Sequence, residues 1–255
     1  MAAGIATLSI IIERMTTKLP HLLLIPGLLC NARLWASQTQ SLADISCIDV
    51  PDLTEHESIP AMAEDILRRA PEQFALAGFS MGGCVALEII ARAPTRVSRL
   101  ALLSTNAGGL LPPVRQHLMQ AIAGIEADGL ARYLAAAFPL YVAAHNADDQ
   151  ALWTVFSDMA KDLGPAVGVR QMRALLNYSG FRGDLADIAC PTTLICGRED
   201  HRTPVSAHVA MSEHIRQARV AVVEHAGHFT PLEEPDEVGA FLREWIRVPP
   251  KGAAG

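Results

Sequence analysis

The sequence predicts an α/β fold with a mostly parallel central sheet, helices on both faces and an inserted helical cap. Short apolar runs alternate with helical patterns along residues 19–109, which is typical of parallel strands joined by right-handed crossovers. The alternation stops over residues 110–183, where helical patterns follow one another, and then resumes. We therefore expect a core of residues 19–109 and 184–247, with residues 110–183 inserted as the cap.

Six short apolar runs are predicted to form the sheet. The first is unbroken, as expected for a parallel strand covered on both faces, and most are bounded by Pro, Gly or polar residues. In chain order they are His21–Ile25, 46–50, 74–77, 97–104, Thr192–Gly197 and 219–223.

Amphipathic or helix-forming stretches follow most of these runs. Residues 59–70 show the pattern best, because their apolar side chains recur at helical spacing with charges between them. The other predicted core helices are 33–42, with Trp35 on its inner face, 84–93, 205–215 and 236–246.

Composition limits the classes of function. The chain has 255 residues, half of them hydrophobic, so it can bury the core of one α/β domain with an insertion. Its net charge of −6, without a run of Lys and Arg, argues against nucleic-acid binding. The apolar run at residues 5–12 is too short to span a bilayer and lacks the flanks of a signal peptide. No membrane partner is expected, and residues 1–18 and 248–255 are expected to be peripheral or frayed.

The cysteines indicate a reduced, cytoplasmic protein. They are odd in number, lie mostly in apolar segments, and show neither a C-x-x-C pair nor metal-ligand spacing with histidine. We therefore expect buried thiols and neither a metal nor a cofactor. The five are Cys30, Cys47, Cys84, Cys190 and Cys196.

One serine lies between two glycines where a strand is predicted to become a helix, in the stretch Gly78-Phe79-Ser80-Met81-Gly82-Gly83. Such a turn, a nucleophile elbow, holds its serine in strained backbone angles. Side chains two residues before and after the serine would collide with the neighbouring chain, which accounts for glycine at both positions. We therefore predict that Ser80 is a nucleophile.

An acid and a histidine follow Ser80, each in a loop directly after a predicted strand. Asp200 follows the fifth strand and His228 the sixth, at the sheet edge where binding residues collect in α/β folds. Because a serine hydroxyl is too weak an acid to attack an ester unaided, His228 is expected to take its proton and return it to the leaving alkoxide. Asp200 is expected to orient the imidazole and stabilise its charged form.

These motifs resemble those of the α/β-hydrolase family over roughly residues 19–247. The order serine, acid, histidine is the order of that family. Within it, the chain is similar to the compact serine carboxylesterases with a helical cap, a group that includes the bacterial pimeloyl-carrier-protein methyl ester esterases. The motifs are the elbow, the Gly197-x-x-Asp200 turn, the Gly227-His228 pair with Glu233 and Pro235 behind it, and the Pro26-Gly27 loop.

The resemblance also decides between neighbouring candidates. The family spacing selects Asp200 over Glu199 as the acid. It selects His228, which follows a glycine, over His201 and His225.

The resemblance further implies an oxyanion hole made of two backbone N–H groups, those of Leu28 and Met81. Most relatives begin the first loop with His-Gly, whereas this chain has Pro26-Gly27. Proline removes both a side-chain hydrogen-bonding group and a backbone N–H. We therefore expect the loop to be held in a different way here.

The predicted cap contains more than its share of aromatic and methionine residues. Some must pack the cap helices together, and the others are expected to roof an apolar pocket. The residues predicted to line the substrate pocket are Leu29, Phe138, Tyr141, Trp153, Phe156, Met159 and Phe229.

These features together favour a serine hydrolase that cleaves carboxylic esters of small to medium, largely apolar groups through an acyl-enzyme. The cap has equal numbers of acidic and basic residues, so it lacks the basic face that an acidic carrier protein would favour, and a small-molecule ester is expected. The oligomeric state is left open. An enol-lactonase or C–C bond hydrolase is the alternative enzyme, for which Arg170, Arg173 and Arg182 are candidate carboxylate-binding cations. A ligand receptor with little turnover is the alternative of another class.

Overall fold

The computed structural model describes residues 19–248, which form a six-stranded, all-parallel sheet. The expectations for residues 1–18 and 249–255 lie outside the described residues. The strand order is β2-β1-β3-β4-β5-β6. The strands are β1 (His21–Ile25), β2 (Cys47–Asp49), β3 (Phe74–Phe79), β4 (Val97–Leu103), β5 (Thr192–Gly197) and β6 (Ala218–Val223).

Successive strand residues face opposite sides of the sheet and bury two separate cores. In β1, Leu22 and Leu24 belong to one core, and Leu23 and Ile25 belong to the other. Because helices cover both faces, the leucine and isoleucine residues of β1 are buried on both sides of the sheet. The predicted α/β fold is confirmed, and β1 and β5 have the predicted bounds.

Helices flank this sheet on both sides. A 3₁₀ turn, Ala32–Trp35, precedes the first helix, where the sequence predicted one continuous helix from residue 33. Trp35 is fully buried, as predicted. The core helices are α1 (Ala36–Leu42), α2 (Ile59–Arg69), α3 (Met81–Arg92), α7 (Val205–His214), α8 (Thr230–Glu233) and α9 (Pro235–Arg247), and α4 to α6 lie between β4 and β5.

Three α-helices lie between β4 and β5 and fall within residues 110–183, the interval predicted for the cap; this helical segment is called the cap below. It contains α4 (Pro112–Asp128), α5 (Leu130–Ala137) and α6 (Gln150–Leu176). The last of these bends at Gly164, whose φ is +80°, because Pro165 follows and cannot continue the helical hydrogen-bond ladder. Residues on both sides of this bend, such as Met159 and Met172, are fully buried. The bend therefore turns two parts of one helix onto the core.

Two short 3₁₀ turns, Phe138–Leu140 and Ala144–Asn146, connect α5 to α6. An isolated antiparallel bridge between Gly108 and Gly180 joins the points where the chain leaves β4 and returns towards β5. Within residues 19–248, no helix is long and apolar enough to cross a membrane.

Candidate active site

Ser80 occupies the sharp turn between β3 and α3. Its φ of +52° lies in the left-handed region, which is strained for a residue with a side chain. A Cβ on Gly78 would meet the backbone of Gly82, and a Cβ on Gly82 would meet the carbonyls of Ile25 and Pro26. Glycine on both sides of Ser80 is therefore required by close backbone approach, the physical reason given for the elbow from the sequence.

Thr105, which follows β4, supports this turn from the other side. Its hydroxyl donates to the Ser80 carbonyl at 2.9 Å, and its N–H donates to Nε2 of His208 at 3.3 Å. Burial lowers the pKa of His208, so the ring is neutral, with Nδ1 donating to the Pro204 carbonyl at 3.2 Å and Nε2 left to accept. A buried, uncharged histidine is thus part of the support of the elbow.

The structure places His228 within hydrogen-bond distance of both Ser80 and Asp200. The Ser80 Oγ lies 2.9 Å from His228 Nε2, and His228 Nδ1 lies 2.9 Å from Asp200 Oδ2. The histidine and aspartate side chains are 4% and 0% exposed. With Nδ1–H donated to the aspartate, Nε2 is free to accept the serine proton, which is the arrangement of a serine activated by a general base.

The surroundings of Asp200 keep it ionised. Its Oδ1 accepts the backbone N–H groups of Arg202 and Thr203 at 2.8 and 2.9 Å, and its Oδ2 accepts the Thr203 hydroxyl at 2.6 Å. Burial alone would raise the pKa of Asp200, but the charge of His228 and these hydrogen bonds outweigh it and hold the pKa well below its usual range. Asp200 is therefore an acceptor at neutral pH and selects the tautomer of His228.

The alternative acid and histidines lie outside this arrangement. Glu199 accepts the Ala144 N–H at 3.0 Å, while His201 and His225 are exposed.

Glu233 holds the loop that carries His228. Its carboxylate accepts the N–H groups of the residues on either side of His228, at 3.0 and 3.1 Å. It also accepts the Ala143 N–H and the Asn146 side-chain amide of the cap, at 2.7 and 3.1 Å. Burial raises the pKa of Glu233, against the effect of these bonds. One partly buried carboxyl group therefore ties the histidine loop to the cap.

Leu28 and Met81, the predicted oxyanion donors, both line the cavity in front of Ser80. Met81 is the first residue of α3, where a backbone N–H has no partner within the helix. In the part of the chain that the structure describes, the Leu28 N–H donates to no protein acceptor. Both amides are therefore available to an oxygen of a ligand.

The cap holds the loop that carries Leu28. The next residue, Leu29, has a φ of +57° and donates its N–H to Oε1 of Gln171 at 2.9 Å. Gln171 is 1% exposed, and its Nε2 donates to the Leu53 carbonyl at 3.3 Å. The Pro26-Gly27 loop is thus braced by a glutamine that reaches in from α6.

A cavity of about 500 Å³ opens in front of Ser80 and His228. Phe138, Trp153 and Met159 do not line it, so this part of the pocket prediction is wrong. The rings of Phe138 and Trp153 pack edge to face with centroids 5.5 Å apart, and Met159 is fully buried in the core. The aromatic composition of the segment did not distinguish side chains in the cavity wall from those packed behind the wall. The predicted residues that do line the cavity are Leu29, Tyr141, Phe156 and Phe229.

None of the three arginines predicted as candidate cations lines the cavity. Arg170 donates to the Thr54 carbonyl, Arg173 pairs with Glu126 and Arg182 donates to the Ser179 hydroxyl.

The sequence reasoning missed a different set of polar residues in the cavity wall. Arg202, His117 and Tyr133 line it together with Tyr141. The guanidinium carbon of Arg202 lies 4.3 Å from the centroid of the Tyr141 ring. The signal that could have found Arg202 is its position two residues after Asp200, in a loop at the functional edge of the sheet.

The cysteines near the site carry unreactive thiols. Cys84 lines the cavity, but burial raises its pKa to about 11. Burial likewise raises the pKa of Cys30 to about 12. Both are therefore protonated at neutral pH and are poor nucleophiles. Among residues 19–248, no group of three or more His, Cys, Asp or Glu side chains is placed to hold a metal ion.

Comparisons with known proteins give a consistent set of relatives. A model described as "Alpha/beta hydrolase family" matches residues 22–241. A pimeloyl-[acyl-carrier protein] methyl ester esterase of Nitrosomonas europaea is 25% identical over 236 residues, 86% of this chain and 92% of that protein.

Solved structures agree with this set. A thermophilic esterase of Thermogutta terrifontis, solved with malate bound, matches with a TM-score of 0.81 and 25% identity over 91% of this chain and 90% of that one. An enol-lactonase of Burkholderia xenovorans matches with a TM-score of 0.81 and 18% identity over 90% and 92%.

Proposed function

The chain belongs to the alpha/beta hydrolase family, and from this premise we propose that it hydrolyses carboxylic esters with Ser80 as nucleophile. The observation that carries the proposal is the 2.9 Å contact between Ser80 Oγ and His228 Nε2. His228 is in turn oriented by a buried, ionised Asp200. The thiol of Cys84, which lines the same cavity, is protonated at neutral pH because burial raises its pKa.

The geometry supports a reaction in two halves. His228 accepts the Ser80 proton as the hydroxyl attacks the ester carbonyl, and the negative charge that develops on the carbonyl oxygen is stabilised by the Leu28 and Met81 amides. His228 then donates this proton to the leaving alkoxide, which leaves an acyl group on Ser80. Water, deprotonated by the same histidine, releases the acid and restores the serine.

We propose a small to medium ester as the substrate. The cavity of about 500 Å³ has mostly apolar side chains in its wall, and relatives bear the names esterase and methyl ester esterase. Equal numbers of acidic and basic residues in the predicted cap favour a small molecule over an acidic carrier protein. The cytoplasm is proposed as the compartment, since all five cysteines carry free thiols.

An enol-lactonase is the second candidate, and one observation favours it. Such an enzyme shares the triad and needs a cation near the serine to hold a carboxylate, and Arg202 lines the cavity of Ser80. A dicarboxylic enol-lactone cleaved in preference to every linear ester would select this candidate.

The test is turnover of p-nitrophenyl esters of increasing acyl length, from acetate to decanoate, by wild type and Ser80→Ala. We expect wild type to release p-nitrophenol from the shorter and middle members of the series, and Ser80→Ala to lose this activity. Absence of Ser80-dependent turnover on the whole series would contradict the proposed function. Tight retention of an ester with a single slow turnover would instead indicate a receptor.

A further inference from the structure

One positive charge lies unpaired at the wall of the active-site cavity. Arg202 is the only Lys, Arg, Asp or Glu among the described residues that line it. Its Nε and Nη2 are closed to solvent and have no hydrogen-bond partner among residues 19–248. The nearby Asp200 does not serve as the partner, because its oxygens accept from His228, from Thr203 and from the backbone N–H of Arg202. Buried polar groups are nearly always hydrogen-bonded, so this arginine calls for an explanation.

An aromatic ring, rather than an anion, holds the guanidinium in place. Arg202 stacks on Tyr141 at 4.3 Å, and the Tyr141 ring lies 5.4 Å from the His228 ring. Stacking on its face leaves the edge of a guanidinium group free to donate hydrogen bonds in its plane. Arg202 is therefore positioned one ring away from the catalytic histidine, with its donors unused.

A second unpartnered group lies on the opposite element. His117, in α4, also lines the cavity, and its Nε2 is buried without a hydrogen-bond partner in the part of the chain that the structure describes. Burial and the charge of Arg202 lower the pKa of His117, so it is a neutral neighbour of that charge. The loop that carries Asp200 and the cap helix α4 thus each place, at the wall of the same cavity, a nitrogen that has no hydrogen-bond partner among the described residues.

We propose that Arg202, assisted by His117, binds a carboxylate carried by the ester substrate. This inference rests on the proposed function and names its substrate class, namely half-esters of dicarboxylic acids or acyl esters of hydroxy acids. A single permanent cation beside a neutral imidazole matches a monoanion rather than a phosphate dianion. A carboxylate accepts strong hydrogen bonds from a guanidinium group, and the apolar wall accommodates the carbon chain that leads to Ser80. Water cleaves the ester bond, so a half-ester yields the dicarboxylic acid and an alcohol.

The first experiment measures kcat/KM for monoethyl adipate and for neutral ethyl hexanoate with wild type and Arg202→Met. We expect wild type to prefer the half-ester. The substitution should lower kcat/KM for the half-ester about tenfold to hundredfold and change that for the neutral ester less than about twofold, since a hydrogen bond to a charged group is lost only in the first case. Arg202→Lys keeps the positive charge without the planar guanidinium group, so its kcat/KM for the half-ester should lie between those of wild type and Arg202→Met.

The matched control is Arg198→Met. Arg198 lies in the same loop, but it is exposed and forms a two-pronged pair with Glu224. The Arg198→Met substitution should change kcat/KM for neither ester. A second substrate pair, 4-butyryloxybutanoate and pentyl butyrate, carries the carboxylate on the alcohol side and so reports on which side of the scissile bond the anion lies.

A purely structural role for Arg202, bracing the loop against Tyr141, predicts an equal loss for charged and neutral esters. That result would overturn the proposal, and so would a wild-type preference for the neutral member of both pairs. Binding of monoethyl adipate to Ser80→Ala, measured by calorimetry, tests the site without turnover and without changing Arg202. Binding tighter than that of neutral ethyl hexanoate supports the site, and equal or absent binding overturns it. Failure of wild type to hydrolyse any ester would instead contradict the proposed function.

Discussion

Replacing Gln171 by leucine should lower kcat while leaving KM less affected. Gln171 lies in the cap, yet its Oε1 accepts the N–H of Leu29, directly after the predicted oxyanion donor Leu28. Leucine is similar in size and apolar, so it fills the same space but offers neither the acceptor for Leu29 nor the donor for the Leu53 carbonyl. Leu29, the strained left-handed residue of the loop, then loses the hydrogen bond of its N–H.

The magnitude follows from the burial of these groups. A buried N–H without an acceptor costs about 1–3 kcal/mol, which corresponds to about a fivefold to hundredfold shift away from the observed loop conformation. The stabilisation that a single oxyanion donor provides sets an upper limit of about a hundredfold to thousandfold on the loss in kcat. We therefore expect kcat to fall by about tenfold to hundredfold.

Steady-state kinetics with p-nitrophenyl butyrate measures this effect, and urea unfolding of the same protein measures stability. Gln171→Glu keeps an oxygen opposite Leu29 and should retain more activity than Gln171→Leu. Gln150→Leu, at the exposed start of α6, serves as the control. An unchanged kcat in a less stable Gln171→Leu protein would refute the reasoning, because it would assign Gln171 to packing alone.

Three further substitutions test the site and its support. Asp200→Asn should be less stable than wild type near neutral pH, and the difference in unfolding free energy should disappear as pH falls below about 4. A carboxyl group whose pKa is lowered by folding stabilises the protein above its unfolded pKa, and this stabilisation is lost on acidification. Urea unfolding from pH 7 to pH 2 measures the difference, and a constant difference would argue against the ionised pair. Glu233→Gln presents an NH₂ group to backbone donors, so it should cost about 1–3 kcal/mol of unfolding free energy and reduce kcat, whereas unchanged values would show that the loop holds itself. Gly82→Ala should abolish the folded, active protein, because the added Cβ would meet carbonyls at the end of β1. In Gly124→Ala the added Cβ has no neighbouring atom, so this variant should melt at a temperature equal to or higher than that of wild type. Similar melting temperatures of the two variants would contradict this packing.

The parts of the molecule that sequence reasoning predicted well depend on local rules. β1 and β5 lie between clear breaks in the sequence, and the leucine and isoleucine residues of both strands pack into the two cores. The glycines at 78 and 82 could be explained in advance because the elbow leaves no room for a Cβ.

The parts that were missed depend on contacts between distant segments. Gln171 and Leu29 are 142 positions apart in sequence, and no pattern near either residue predicts their contact. The direction of the Arg202 side chain depends on where the cap places Tyr141. For the same reason, composition could not separate Phe156, in the cavity wall, from Phe138 behind it.

Covalent labelling tests the central claim, that Ser80 is the nucleophile, most directly. Diethyl p-nitrophenyl phosphate transfers its phosphoryl group to an activated serine and is not readily released, so mass spectrometry of the digested protein can locate the adduct. We predict one adduct per chain, on the peptide that contains Ser80, with one equivalent of p-nitrophenol released and no labelling of Ser80→Ala. Labelling at another residue, such as the cavity thiol of Cys84, or no labelling of wild type, would contradict the account.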